Sequence, residues 1–158
     1  MNFDLTTIFW PVLTIIFWIP TLIFIPRKEY KRFLIFGFIL GGLLDVVSII
    51  LIGNIFGVFT YNAGPFQAFG IPIFIPLAFT FVWMLFLYFL PFRIELLIPY
   101  IIGFCGFSVL MGIIEQNLGL FKYHQGLILD LTITAAVFLV WFSLSAYVYR
   151  KYDDKAYI

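Results

Sequence analysis

Three acidic residues, Asp45, Glu115 and Asp130, stand inside stretches that are otherwise apolar. A carboxyl group in the middle of a membrane costs about 2.5–3.5 kcal/mol on insertion scales, so its presence there needs a reason. A carboxylic acid removed from water favours its neutral form, which can donate a proton. These three residues are therefore the candidate catalytic acids and bases of the chain.

Small and polar residues recur three or four positions apart around each acid, as they do along one face of a helix. The three stripes are Gly37, Gly41, Asp45 and Ser48; Cys105, Ser108, Gly112 and Glu115; and Asp130, Thr134, Trp141 and Ser145. Small residues mark the places where membrane helices approach each other, so we expect the acids to face a bundle interior. The alternatives are a helix–helix hydrogen bond for Asp45, and hydration or pairing with Lys122 for Glu115 and Asp130.

The composition indicates a membrane protein. Of 158 residues, 64% are hydrophobic and 11% are charged, whereas a soluble domain is about 25% charged. The high hydrophobicity excludes a disordered chain, and a net charge of +1 lacks the basic surplus of a nucleic-acid binder. One cysteine and one histidine, Cys105 and His124, provide neither an internal disulfide nor a usual zinc site. We therefore expect no metal, no cofactor and no nucleic-acid partner.

Five apolar runs approach the length of about 20 residues that a helix needs to cross a bilayer. They predict a single all-α domain, a polytopic membrane bundle of five transmembrane helices. The predicted spans are 5–25, 33–53, 69–90, 96–116 and 127–148, followed by a polar tail over 149–158.

The basic residues orient this bundle, because Lys and Arg are retained on the cytoplasmic side. In the five-span arrangement, Lys122 alone falls on one side, and the other side holds Arg27, Lys28, Lys31, Arg32, Arg93, Arg150, Lys151 and Lys155. The pattern predicts a multi-pass protein of the cell membrane with its N-terminus outside and its C-terminus in the cytoplasm. The start, Met1-Asn2-Phe3-Asp4, has no basic region, so we expect the first span not to be a cleaved signal.

The two loops predicted to lie outside share a motif. Residues 57–64 and 119–126 both read G-[V/L]-F-x-Y-[N/H]-x-G. Each motif follows a span that runs outward and precedes one that returns, which indicates two repeated helix hairpins plus one N-terminal helix. The alternative is that aromatic residues are simply common at membrane interfaces.

The segment from Gly53 to Ala78 reads G-x-x-F-G-V-F-x-Y-x-x-G-P-x-x-x-x-G-I-P-I-x-I-P-L-A. It resembles the integral-membrane carotenoid-biosynthesis proteins, which include carotenoid hydratases and lycopene-cyclase domains. In that family an acidic residue on the preceding helix, here Asp45, comes before the motif, and a tryptophan, here Trp83, follows it. The cyclase domains carry two glutamates where this chain has Phe74 and Ile75. The chain also looks like small five-span membrane proteins of spore-forming bacteria.

The resemblance implies an intramembrane enzyme that acts on an isoprenoid or carotenoid-like lipid by hydration or cyclisation. Asp45 would protonate an alkene, and Glu115 or Asp130 would act as the base or hold a water molecule. Aromatic faces would stabilise the developing carbocation. The implied substrate-binding residues are Phe59, Tyr61, Pro72, Trp83 and Tyr123.

Two other classes of function stay open at this point. The carboxyl groups could be proton or cation sites of a small coupled transporter. They could also only hydrogen-bond between helices in a structural or accessory subunit. A membrane lipid or isoprenoid is the expected partner, and five spans make so thin an enclosure that a homodimer is a reasonable expectation.

Overall fold

The computed structural model describes residues 5–62, 64–68 and 70–152. Its helices are α1 (Leu5–Phe24), α2 (Arg27–Ile55), α3 (Phe74–Tyr88), α4 (Ile94–Asn117) and α5 (Leu127–Tyr152). Its short strands are β1 (Phe59–Tyr61), β2 (Gln67–Ala68), β3 (Ile71–Pro72) and β4 (Phe121–Tyr123). The described chain is mostly helical, as predicted, and within these residues the strands form two antiparallel pairs, β1 with β4 and β2 with β3.

Helices α1, α2, α4 and α5 are long and apolar enough to cross a membrane, whereas α3 has only 15 residues. At 1.5 Å per residue α3 measures about 22 Å, which is shorter than a hydrocarbon core of about 30 Å. The outer surface of the helices is apolar: Ile23 is 69% exposed and Val140 is 66% exposed. This composition and surface fit a multi-pass membrane protein.

Three of the predicted span boundaries differ from the structure by four residues or more, and one of them is the end of the last helix, which continues to Tyr152 instead of ending at residue 148. The second helix begins at Arg27 rather than at Phe33, because Pro26 precedes the first turn and Lys and Arg are good helix formers. The third helix begins only at Phe74, because β2 and β3 form a hairpin before it. The predicted start of that span, Phe69, and most of the predicted tail, residues 153–158, lie outside the described residues.

Helix α2 contains two π-helical segments, Phe38–Leu43 and Ile49–Ile55, on either side of an α-helical segment, Leu44–Ser48. A π turn is wider than an α turn, and such turns are frequent at functional sites. Near the first segment, the main-chain oxygen of Leu40 accepts a hydrogen bond from the Trp141 indole. The widened turns therefore flank the segment that carries Asp45.

The small residues of α2 lie against α3, as the stripe of glycines predicts. A Cβ atom added to Gly41 would lie 2.6 Å from the main-chain oxygen of Phe79 and 2.8 Å from Cβ of Trp83. A Cβ added to Gly37 would lie 2.6 Å from the main-chain oxygen of Thr80. The backbones of α2 and α3 are thus close enough that only glycine fits between them.

An aromatic core joins α3 to α5. The ring of Trp83 lies with its centroid 4.5 Å from that of Trp141 and 4.5 Å from that of Phe142. The Trp83 indole nitrogen donates a hydrogen bond of 2.9 Å to Oγ of Ser145. Because its one polar atom is satisfied inside the core, Trp83 fixes the position of α5 relative to α3.

We expect Gly41→Ala to destabilise the protein by about 1–3 kcal/mol, because the new methyl group must displace α3. The matched control is Gly103→Ala on α4, where an added Cβ meets no atom within 4 Å. Thermal unfolding in detergent should show a lower midpoint for Gly41→Ala and an unchanged or higher midpoint for Gly103→Ala. Equal midpoints for the two variants would contradict the close approach of α2 and α3.

Candidate functional site

The two motif loops pair with each other. Strands β1 and β4 run antiparallel, with Phe59 opposite Tyr123, Thr60 opposite Lys122, and Tyr61 opposite Phe121. The pairing extends at both ends, where Asn62 N donates to Leu120 O at 2.9 Å and His124 N donates to Val58 O at 3.1 Å. In this β1–β4 ribbon the third position of each motif pairs with the fifth position of the other, and the two fourth positions pair with each other. The ribbon therefore has an approximate two-fold axis between Thr60 and Lys122.

The two faces of the β1–β4 ribbon differ, because successive side chains of a strand point to opposite faces. Thr60 and Lys122 are exposed on one face, and the aromatic residues of both strands lie on the other. The first glycine of each motif has a positive φ, 64° at Gly57 and 73° at Gly119. Glycine adopts this conformation without a steric penalty, which explains why both motifs begin with it.

Beneath the aromatic face of the ribbon lies a cavity of about 100 Å³, which we name the chamber. All five helices and both ribbon strands contribute to its wall. Its polar lining comprises two carboxyl groups and five hydroxyl groups, from Asp45, Glu115, Ser48, Ser108, Thr134, Tyr61 and Tyr123. A cavity of this size has room for several water molecules or for a small reacting group.

The two carboxyl groups enter the chamber from different helices. Asp45, on α2, is 3% exposed, and within the described part of the chain its Oδ2 atom has no hydrogen-bond partner. Glu115, near the end of α4, is half-buried, and its main-chain oxygen accepts a hydrogen bond from Leu120 N at 2.9 Å. The motif loop that follows α4 therefore holds the turn that carries Glu115.

The pKa values of the two ribbon tyrosines, Tyr61 and Tyr123, depend on the nearby acids. Burial, and then the charges of Glu115 and Asp45, raise the pKa of Tyr61 well above its ordinary value. Burial also raises the pKa of Tyr123, although its hydrogen bond with Thr134, at 3.4 Å, acts in the opposite direction. Both phenols therefore keep their protons at neutral pH and can serve as hydrogen-bond donors in the chamber.

Asp130 does not line the chamber, although the sequence predicts that it joins the other two acids. It is fully buried near the start of α5, where its Oδ2 atom accepts a hydrogen bond of 2.9 Å from the main-chain nitrogen of Gln125. Asp130 lies in the first turn of α5, where its main-chain nitrogen donates a hydrogen bond of 3.0 Å to the main-chain oxygen of Gly126. In this structure Asp130 orders the loop that leads into α5.

Some of the predicted substrate-binding residues line the chamber and others do not. Phe59, Tyr61 and Tyr123 line the chamber. Pro72 is buried in β3 opposite Gln67, and Trp83 lies in the aromatic core, so neither is part of the chamber wall.

Several lining residues are absent from the predicted site. Phe121 could have been found from the repeat, because it is the counterpart of Phe59. Phe138 and Trp141 continue the spacing of three to four residues that begins at Thr134 on α5. Leu13 and Phe17 of α1 give no such signal, since they stand in a run where nearly every residue is apolar.

The chamber combines an acid pair with aromatic walls. Its lining contains no Lys, Arg or His, and among the described residues no three His, Cys, Asp or Glu side chains form a group that could hold a metal ion. Two carboxyl groups can donate and accept protons, and ring faces attract a positive charge. The arrangement is therefore suited to proton transfer to and from a bound apolar molecule.

Comparison with protein families, curated proteins and solved structures gives no match to this chain.

We expect Asp130→Ala to lower the free energy of unfolding by about 1–3 kcal/mol, because it removes the buried acceptor of the Gln125 main-chain N–H. The matched control is Thr132→Ala, since Thr132 is exposed and its hydroxyl bonds only to Ile128 of its own helix among the described contacts. The control should change stability by less than about 0.5 kcal/mol. Chemical unfolding in detergent gives both values, and a neutral Asp130→Ala would show that this carboxyl group is not a structural anchor.

Proposed function

We propose that the chain is a five-span protein of the cell membrane, with its N-terminus outside and its C-terminus in the cytoplasm. The one-sided distribution of the basic residues supports this orientation. The short helix α3 completes its span together with the β2–β3 hairpin. The approximate two-fold axis of the β1–β4 ribbon supports an arrangement of two repeated hairpins, α2 with α3 and α4 with α5, to which α1 is added.

We infer that the chamber is the active site of an intramembrane enzyme whose substrate is an alkene-bearing, isoprenoid-like lipid. One observation carries this inference: the buried, unpartnered Oδ2 atom of Asp45 lines the same aromatic-walled space as Glu115. That oxygen gives up no hydrogen bond to the described residues when the acid transfers its proton. The resemblance of residues 53–78 to carotenoid-biosynthesis proteins supports the same reaction class.

In the proposed first step, neutral Asp45 protonates the alkene. The O–H bond breaks, the π electrons of the double bond form the new C–H bond, and the adjacent carbon becomes a carbocation beside the Asp45 carboxylate. Phe59, Phe121 and Trp141 lie in the chamber wall, and a ring face turned to the cation would stabilise its positive charge.

In the second step, Glu115 acts as the base. Its carboxylate removes a proton from a carbon next to the cation, which forms a new double bond after isomerisation or cyclisation. If water adds to the cation instead, Glu115 takes the proton that the water loses. Proton transfer from Glu115 to Asp45 then restores both groups, so the cycle consumes nothing besides the substrate and, for hydration, one water molecule.

The substrate reaches the chamber from the side. Phe107 of α4 lines the chamber but is also 41% exposed. Its ring meets that of Phe17 on α1, with 6.2 Å between the centroids. A path between α1 and α4 would admit a lipid directly from the membrane, which suits an apolar substrate better than an aqueous one.

The packing of the bundle beyond the chamber favours an enzyme over a transporter. Toward the other end of the bundle, Trp83, Trp141 and Phe142 fill the space between α3 and α5. A transported proton or cation would need a polar path through this packed aromatic core. An enzyme needs only one opening.

We expect cells that contain both acyclic polyene isoprenoids and this protein to accumulate a modified product. Mass spectrometry of lipid extracts would show either a mass increase of one water molecule or an unchanged mass with altered retention. Asp45→Asn should reduce the product by about a hundredfold or more, because general acid catalysis typically contributes at least that factor.

The matched control is Glu95→Gln, which neutralises an exposed carboxyl group at the start of α4. This variant should form product at the normal rate. Full activity of Asp45→Asn, measured at equal protein levels, would remove Asp45 from the mechanism. Lipid profiles that are identical with and without the protein would count against the enzyme itself.

A further inference from the structure

The two carboxyl groups of the chamber lack a balancing positive charge. Neither Asp45 nor Glu115 has an ion-pair partner within the described chain. Lys122, an alternative partner for Glu115 in the sequence, is exposed on the face of the ribbon that points away from the chamber. Among the described residues of the chamber wall there is no Lys, Arg or His. The wall can therefore carry negative charge but holds no positive charge.

One carboxyl oxygen of the chamber is available to a ligand. Asp45 is 3% exposed, and no described residue forms a hydrogen bond with its Oδ2 atom. A buried polar atom without a partner costs free energy. Because Asp45 lines the chamber, an N–H group of a ligand held there would satisfy this oxygen. A charged donor would do so more strongly than a neutral one.

Aromatic side chains form much of the remaining wall. Phe79, Phe138 and Trp141 lie with their ring planes within 7° of parallel and their centroids 5.7–6.1 Å apart. A ring face turned to an organic ammonium ion attracts it. A metal ion such as Ca²⁺ instead takes about six to eight oxygen ligands, and the described residues contain no group of three acidic, His or Cys side chains that could hold one. The wall therefore favours an organic ammonium ion over a metal ion.

The size of the chamber limits the shape of such a ligand. A volume of about 100 Å³ has room for a dimethylamino group, which is about as large as three water molecules. A longer alkyl chain must leave the chamber. Phe107 lines the chamber and is 41% exposed, and its ring lies beside that of Phe17 on α1. The chain of the ligand would therefore pass between α1 and α4 into the membrane.

We propose that the chamber binds a lipophilic amine, a molecule with one basic nitrogen at the end of an alkyl chain. The neutral amine enters from the membrane and takes the proton of Asp45. The O–H bond breaks, the lone pair of the nitrogen forms the new N–H bond, and the ammonium ion stays beside the Asp45 carboxylate. The proposal uses the chamber and Asp45 of the proposed enzyme, but it concerns binding without turnover and does not require an alkene substrate.

The test is the thermal unfolding of the full chain in phosphatidylcholine nanodiscs without any isoprenoid. Dimethyldodecylamine is titrated in parallel with N,N-dimethyldodecanamide, which has a chain of the same length but no basic nitrogen. The amine should raise the unfolding midpoint in a saturable way, because a ligand that binds the folded chain stabilises it. The amide should leave the midpoint unchanged at the same concentration. Equal effects of the two compounds would overturn the proposal, since that result indicates only partitioning into the bilayer.

Asp45→Asn keeps the shape of the side chain but supplies neither a proton nor a negative charge, so it should weaken amine binding about tenfold or more. The matched control, Glu95→Gln, removes an exposed carboxyl group at the start of α4 and should retain full protection. If Asp45→Asn does not fold, Glu115→Gln removes the other carboxyl group of the chamber and should also weaken amine binding. Unchanged protection in the chamber variant that folds would overturn the proposal.

The result can be separated from that of the lipid assay. Protection by the amine that depends on Asp45, found together with unchanged lipid profiles, would support the amine site and count against the enzyme. Product formation without any protection of the wild type by the amine would overturn the amine site and support the enzyme.

Discussion

Hydrocarbon offers no hydrogen-bond partner, so in the proposed membrane setting every polar side chain must find one inside the bundle. The burial pattern fits apolar surroundings. Asp45 and Ser145 are buried while Ile23 and Val140 are exposed, the reverse of a soluble protein. Ser145 is satisfied by the indole of Trp83. Oδ2 of Asp45 has no hydrogen-bond partner in the described chain. The chamber lies where this carboxyl group, Glu115 and the ribbon tyrosines come together.

The β1–β4 ribbon joins the loop after α2 to the loop after α4 and forms part of the chamber wall. One short motif, used twice, supplies both strands, and antiparallel pairing places Phe59 of one copy opposite Tyr123 of the other. The alternation of side chains then puts all four rings on the chamber side. The ribbon also accounts for the position of Glu115, because the loop that forms β4 bonds back to the turn that carries it. The two copies of the motif therefore supply one side of the chamber wall.

Much of this arrangement could be predicted from residue types and spacing. The stripes that contain Asp45 and Glu115 predicted which helix faces meet, because small residues allow close approach. The pairing of the two loops was not predictable, since the motif shows similarity but not contact. The π turns of α2 could not be predicted from its amino-acid composition. Asp130 is buried, as its stripe predicts, but its hydrogen bond from the main chain of Gln125 could not be predicted, because an acid near a helix start can bond either within the bundle or to its own loop.

The central claim is that Asp45 and Glu115 share one chamber. A double-mutant cycle with Asp45→Asn and Glu115→Gln, read as free energies of unfolding in mixed detergent, tests it directly. A shared space predicts a coupling energy of about 0.5–3 kcal/mol, whereas a second cycle with Asp45→Asn and the remote Glu95→Gln should be additive within about 0.5 kcal/mol. Additive effects in both cycles would show that the two carboxyl groups do not interact, and would contradict the account.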